Sequence, residues 1–203
     1  MTMEKTARFL ASSPFYVLIM AAGQGARGAT DIPKQYIKIG GKPLLRHTLD
    51  VFNGLPGLQE ICVVISEEHK DMYHQAVKGL DNIRYCTGGN DRYNSVYNGL
   101  NSFSNLKNKD FILIHDAARP FITQRDIQHC VNALETHEAV TIASPIANTL
   151  KHEDGHYVDR TGVWSIETPQ GFHYSLVKRA HEDCEDKSAF TDDTALVARL
   201  GYD

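Results

Sequence analysis

The chain has 203 residues, 42% hydrophobic and 23% charged, with a formal net charge of -4. That length and composition fit one α/β domain with a real core and exclude a largely disordered chain. The acidic balance argues against a partner bound through its nucleic-acid backbone, and no apolar run reaches the ~20 residues needed to cross a bilayer. The four cysteines, Cys62, Cys86, Cys130 and Cys184, lie far apart and form no C-x-x-C pair. They suggest neither a zinc site nor a disulfide framework and point to a reducing, cytoplasmic setting.

Residues 1–14 read as a flexible N-terminal extension, and 15–203 as a single domain. Tyr16 to Met20 is a short apolar run that reads as a buried parallel strand. It opens into Ala21-Ala22-Gly23-Gln24-Gly25-Ala26-Arg27, a loop almost without side chains, and Pro33-Lys34-Gln35 follows. Small residues let a ligand approach main-chain N–H groups, an arrangement suited to phosphate oxygens. Pro43 reads as a first helical position, and Leu44, Leu45, Thr48, Leu49 and Phe52 recur at helical spacing. Ile61 to Ile65 is the next strand, and Met72, Tyr73, Ala76, Val77 and Leu80 mark a second helix. A short strand, Ile83 to Cys86, is closed by Gly88-Gly89, and a helix carrying Val96, Tyr97, Leu100 and Phe103 follows. Phe111 to Ile114 is the fourth strand, ending in His115-Asp116-Ala117-Ala118-Arg119-Pro120. Thr123 to Asp126 reads as a capping box for a helix with Ile127, Cys130, Val131 and Leu134. Val140 to Ala143 is a fifth strand.

Strands alternating with helices predict a mostly parallel sheet covered on both faces. One segment breaks that alternation. Thr149 to Arg160 has Asp154-Gly155 at its centre and polar flanks, a hairpin signal. The arm, about residues 147–163, reads either as a solvated hairpin or as a projection that packs on a second subunit. Glu167 to Gly171 reads as a loop. A helix with Leu176, Val177, Ala180 and Cys184 follows, and Thr191 reads as the N-cap of a last helix stopped by Gly201. The alternating pattern calls for another strand beyond Asp203.

In open α/β sheets, ligands sit beyond the carboxyl ends of the strands. Three such ends carry small residues together with charge: Gly23, Gly25, Arg27 and Lys34; Gly89, Arg92 and Ser95; and Asp116, Ala117 and Arg119. An acidic residue directly after a buried strand is a natural place for Mg²⁺ or a sugar hydroxyl. No P-loop, nucleophile elbow or Ser-His-Asp relay is present, and the ten histidines are scattered. Gly23-x-Gly25-x-x-Gly28 matches G-x-G-x-x-G by letters but lacks the acidic residue expected about 20 positions on in a nicotinamide enzyme.

Taken together, Ala21-Ala22-Gly23-x-Gly25-x-Arg27, Pro33-Lys34-Gln35, Gly88-Gly89-x-x-Arg92-x-x-Ser95, His115 to Pro120 and Thr168-Pro169-Gln170 closely resemble the 2-C-methyl-D-erythritol 4-phosphate cytidylyltransferase family. The resemblance covers residues 15 to 203. It implies a Rossmann-like nucleotidyltransferase fold with a protruding β-hairpin arm. It also implies CTP and 2-C-methyl-D-erythritol 4-phosphate as substrates, a required Mg²⁺ held mainly on the CTP phosphates, and a homodimer built through the arm. By the same resemblance, Arg27 and Lys34 are catalytic. Ala21, Ala22, Gly23, Gly25, Gly89, Arg92, Ser95 and Ala117 hold the nucleotide. Asp116, Arg119, Thr149, Arg160, Thr168 and Thr191 serve the acceptor side, Thr149 and Arg160 by reaching into the neighbouring subunit's site. The family carries a further lysine-bearing region that would lie beyond Asp203, and the spacing around Thr30 to Lys34 resembles the form fused to a cyclodiphosphate synthase. Two other readings share the nucleotide motifs: a cytidylyltransferase for another polyol phosphate such as ribitol 5-phosphate, and a nucleotide-binding module without turnover. The Ala117-Ala118 pair leans toward methylerythritol phosphate.

Overall fold

The structure is a computed structural model, in which residues 13–23, 32–184 and 192–202 are described. Most of the predicted extension therefore lies outside the described residues, as do Gly25, Arg27 and Thr191. Chain order runs β1 (Phe15–Ala21), a 3-10 turn (Lys34–Tyr36), β2 (Lys38–Ile39), β3 (Lys42–Pro43), α1 (Leu44–Phe52), β4 (Leu58–Ile65) and α2 (Lys70–Val77). It continues with β5 (Ile83–Thr87), α3 (Arg92–Asn101), β6 (Phe111–Asp116), α4 (Gln124–Ala133) and β7 (Ala139–Pro145). The arm strands β8 (Leu150–Lys151) and β9 (Tyr157–Val158), then β10 (Trp164–His173), α5 (Tyr174–Glu182) and α6 (Asp193–Ala198), complete it.

Six strands form the central sheet, in the order β5-β4-β1-β6-β10-β7. β5, β4, β1 and β6 run parallel, and β10 runs antiparallel to both of its neighbours. The apolar runs are continuous because both faces are covered. On one face Val17, Ile19, Val63 and Leu113 meet α1, α2 and α4 through Leu45, Leu49, Phe52, Tyr73, Ile127 and Val131. On the other, Leu18, Val64, Ile112 and Ile114 meet α3, α5 and α6 through Val96, Leu100, Val177 and Leu196. Each such buried side chain contributes ~1.5–3 kcal/mol, so the sheet is a stiff platform for the loops at its carboxyl ends.

Three local expectations change. Glu167 to Gly171 lies inside β10, and is not a loop. The turn-like letters mislead because the ladder to β7 shifts register between Ile166 and Gln170, which leaves the segment around Pro169, a residue with no N–H, outside the pairing. Pro43 occupies the N-cap of α1 and precedes its first helical residue. α6 is capped by Asp192, whose carboxylate accepts from the Ala195 N–H at 2.7 Å. Aspartate serves as a cap as readily as threonine, so adjacent candidates cannot be separated by type.

The hairpin is present. Leu150 pairs with Val158 and Lys151 with Tyr157, and Gly155 takes the left-handed φ of +99° that the turn requires. Its stalk is the sheet itself, since Trp164 to Ile166 of β10 pair with Ala143 to Pro145 of β7. The arm is polar at its tip but exposes Tyr157, Val158, Val163, Trp164 and Ile166.

Candidate active site

Strand register decides what the carboxyl edge brings together. Ala21 pairs with Ile65, Ile65 with Thr87, and Met20 with Asp116. These strands therefore end level, and the residues that follow them meet although they are up to a hundred positions apart in sequence. β4 lies on one side of β1 and β6 on the other, so the edge contains the topological switch point at which such sheets bind ligands. A cleft of about 720 Å³ opens there, lined by Ala22, Gly23, Lys34, Glu67, Gly88, Gly89, Arg92, Ser95, Asp116 and Ala117 among others.

The wall after β1 is held from behind. Gln35, only 2% exposed, donates from Nε2 to the carbonyls of Ala21 at 2.7 Å and Gly23 at 2.9 Å. These bonds fix where the strand becomes the loop. They also leave Lys34, on the same 3-10 turn, exposed on the cleft side. The wall after β5 is fixed by Ser95, 3% exposed, whose Oγ accepts from the Gly89 N–H at 3.0 Å. Glycine is required here by space. A Cβ on Gly88 would lie 2.7 Å from Ala22 Cβ, and one on Gly89 would lie 2.4 Å from Asn94 Cβ. Asp91 caps α3 by accepting from the Asn94 N–H at 2.7 Å, which aims the helix start and Arg92 at the cleft.

Arg92 is not free. Its Nη2 donates to Asp193 Oδ2 at 2.7 Å, while His181 Nε2 donates to Asp193 Oδ1 at 2.9 Å. The Asp193 N–H donates to Gln170 Oε1 at 3.0 Å. Burial opposes the charge on Asp193, but the His181 hydrogen bond and the Arg92 charge outweigh it and hold its carboxyl below the ordinary range. α6 and β10 thus set the position of an arginine in the cleft wall.

The wall after β6 is tied to β10. The Asp116 N–H donates to Thr168 Oγ1 at 3.2 Å, and the Thr168 hydroxyl pairs with His115 Nδ1 at 2.9 Å. His115 Nε2 faces the Arg119 carbonyl at 3.1 Å. One proton assignment satisfies this chain: Thr168 donates to Nδ1, and a neutral His115 donates from Nε2. Burial pushes the His115 pKa down to about 4, in keeping with that neutral form. Arg119 Nε in turn donates to Asp116 Oδ2 at 2.9 Å, and Thr48 Oγ1 donates to the Ala117 carbonyl at 2.8 Å.

Of the residues singled out in the sequence, Ala22, Gly23, Lys34, Gly89, Arg92, Ser95, Asp116 and Ala117 line this cleft. Ala21 and Thr168 are buried just behind its walls, and Arg119 braces Asp116. Thr149 and Arg160 are exposed on the arm and do not line the cleft of their own chain; Arg160 Nη1 donates to the Ile146 carbonyl at 3.3 Å. Gln35, His115, His181 and Asp193 were not among the predicted site residues. Gln35 and His115 sit inside recognisable motifs, whereas an acidic residue in a first helical turn signals only a cap.

The sequence signature described as 2-C-methyl-D-erythritol 4-phosphate cytidylyltransferase matches residues 15–203. The chain belongs to this family. It is therefore a nucleotidyltransferase. Its similarity to the cytidylyltransferase of Bacillus velezensis is 38% identity over 197 residues, covering 93% of this chain and 84% of that one. With the bifunctional enzyme IspD/IspF of Rhodospirillum rubrum it shares 39% identity over 189 residues, but spans only 49% of that protein. The crystal structure of the Francisella tularensis cytidylyltransferase superposes with a TM-score of 0.80 at 31% identity, covering 94% of this chain and 88% of that one. The nicotinamide reading of Gly23-x-Gly25-x-x-Gly28 falls away with this assignment.

Proposed function

We propose that this cleft transfers the CMP moiety of CTP to 2-C-methyl-D-erythritol 4-phosphate, giving 4-diphosphocytidyl-2-C-methyl-D-erythritol and pyrophosphate. The observation that carries the reading is the level ending of β1, β5 and β6, which supports one nucleotide site built from Ala22-Gly23, Gly88-Gly89 and Asp116-Ala117. The acceptor phosphate attacks the α-phosphorus of CTP. A new P–O bond forms as the bond to pyrophosphate breaks. A phosphate monoester is largely dianionic at neutral pH, its second pKa being ~6, so the attack needs no general base. The absence of a relay in the sequence is consistent with that. The work left to the protein is to align two anions and stabilise charge that spreads between them.

Lys34 faces the cleft from a turn that Gln35 locks, and with Arg27 it stabilises the charge that develops on the phosphates. Main-chain groups of Ala21, Ala22, Gly23 and Gly25 hold the triphosphate. Gly89 and Ser95 fix the base end, with Arg92 and Ala117 beside the nucleotide. Asp116 and Arg119 serve the ribose and acceptor. Thr168 holds their loop, and the family resemblance assigns Thr191 to the acceptor side as well. Asp116 offers a hard carboxylate oxygen, one of its two being engaged by Arg119, so its donor set fits Mg²⁺ next to a triphosphate. When bound, Mg²⁺ neutralises phosphate charge. The arm's exposed Tyr157, Trp164 and Ile166 support a homodimer in which Thr149 and Arg160 reach the partner's acceptor site, and four cysteines that form no disulfide support a cytoplasmic location.

Pyrophosphate release, measured with CTP and Mg²⁺ and either methylerythritol phosphate or ribitol 5-phosphate, tests this. Turnover with methylerythritol phosphate is expected, and turnover with ribitol phosphate alone overturns the acceptor. Lys34→Ala is expected to lower kcat ~100-fold or more while CTP affinity changes little. An equal loss in both would mean that Lys34 only binds ground-state phosphate.

A further inference from the structure

The tip of the arm carries a feature that nucleotidyl transfer does not use. His152 and His156 flank the turn at Asp154-Gly155, and backbone bonds clamp it: the His152 N–H donates to the His156 carbonyl at 2.9 Å, and the Gly155 N–H to the His152 carbonyl at 3.0 Å. The two imidazole rings stack, with centroids 4.9 Å apart and planes 15° apart. Asp154 Oδ1 sits between them, 2.5 Å from His156 Nδ1 and 3.3 Å from His152 Nδ1. One nitrogen of each imidazole and one carboxylate oxygen all lie within 4.8 Å of one another, and all three residues are exposed.

We propose that His152, Asp154 and His156 form a binding site for a divalent transition-metal ion, of which Zn²⁺ is the best fit. A tetrahedral Zn²⁺ with ligands at ~2.0–2.1 Å holds them ~3.3 Å apart; the carboxylate oxygen now lies 2.5 and 3.3 Å from the two ring nitrogens, and binding turns the stacked, exposed rings so that a nitrogen of each faces the ion. Two imidazoles and one carboxylate are borderline ligands that suit Zn²⁺, Co²⁺ or Ni²⁺. Mg²⁺, which prefers oxygen ligands in an octahedron, is disfavoured. The site is therefore chemically distinct from the Mg²⁺ that accompanies CTP, and it is filled without nucleotide. Three protein ligands leave the remaining positions to water. The ion ties the limb that ends at His152 to the limb that begins at His156 and closes the hairpin at its tip. Because imidazole binds metal in its neutral form, affinity falls on acidification.

The test is calorimetric titration of the metal-stripped full chain with Zn²⁺, in the absence of nucleotide. The wild-type chain is expected to take up about one equivalent at micromolar affinity, and His152→Ala and His156→Ala each to weaken it ~10-fold or more. Asp154→Asn is expected to weaken it less than either histidine change, and excess Mg²⁺ is expected not to compete. Nitrogen NMR of the unmutated protein gives an independent readout: one equivalent of Zn²⁺ is expected to shift the ring nitrogens of His152 and His156 first. The proposal is overturned if the double histidine variant keeps wild-type affinity, if the wild type binds no tighter than millimolar, or if other histidines respond first.

Discussion

His115 makes the stability of the domain depend on pH in a way that can be calculated. It is fully buried, and its pKa falls from 6.5 in the unfolded chain to about 4 in the fold. The unfolded chain therefore takes up a proton before the folded one does. The group's contribution is fully present above the unfolded value and is lost as pH falls from 6.5 towards about 4. Applying the linkage relation to those two values gives a loss of about 2 kcal/mol between about pH 7.5 and about pH 5. That is a large fraction of the ~5–15 kcal/mol typical of a domain. The perturbation is His115→Gln, which keeps an amide donor and acceptor but cannot titrate. Urea unfolding of both proteins at the two pH values isolates the effect, because every other titrating group is common to both. The wild type is expected to lose about 2 kcal/mol more than the variant. Equal losses would refute the neutral, buried histidine, and with it the proton assignment that ties Thr168 to Asp116.

Two further outcomes follow from the packing around the cleft. Gly89→Ala places its Cβ 2.4 Å from Asn94 Cβ and 3.0 Å from the Asn94 backbone carbon, whereas among the described residues a Cβ on Gly23 meets nothing within 4 Å. In urea unfolding, Gly89→Ala is expected to cost ~1–3 kcal/mol and Gly23→Ala less than ~0.5 kcal/mol; comparable losses would mean that the Gly89 wall yields freely. Asp193→Asn removes the charge that Arg92 and His181 share. The expected cost is ~2–3 kcal/mol, short of the ~3–5 kcal/mol of a fully buried pair because the Arg92 side chain is 34% exposed. A weaker CTP affinity should accompany it, and unchanged CTP binding would separate Arg92 from the nucleotide.

The parts of the site legible in the sequence are those in which local chemistry and position coincide. Tyr16 to Met20 had to be a buried strand, and a loop of bare residues after it had to sit at the sheet's carboxyl edge. Gly88-Gly89 and Asp116-Ala117 repeat that logic. What escaped depends on three-dimensional pairing. β10 carries Pro169 and Gly171, letters that say turn, and only the shifted register with β7 lets a strand pass through them. Asp193 looks like any acidic residue in a first helical turn until β10 and α3 bring Gln170 and Arg92 against it. His115 stood beside the site with no visible partner, because its partner Thr168 is more than fifty residues away. The role proposed for Thr149 and Arg160 rests on family resemblance alone, since neither lines the cleft of its own chain.

The arm's construction sets how its reach can vary. Its stalk, where β7 pairs with β10, is a beam whose length is counted in paired residues, whereas β8 and β9 pair only with each other beyond residues 146–149 and 159–163, which belong to no strand. Each residue advances ~3.4 Å and turns its side chain to the opposite face. Adding or removing two residues in each limb of the stalk would carry the whole tip, Thr149 and Arg160 with it, by ~7 Å without turning it over. A change of one residue in each limb would move the tip by ~3.4 Å and turn it to the opposite face. In the proposed dimer the arm's reach therefore changes in steps of two stalk residues, while the cleft, anchored at Gln170 to Phe172 on the far side of the register shift, is left as it is.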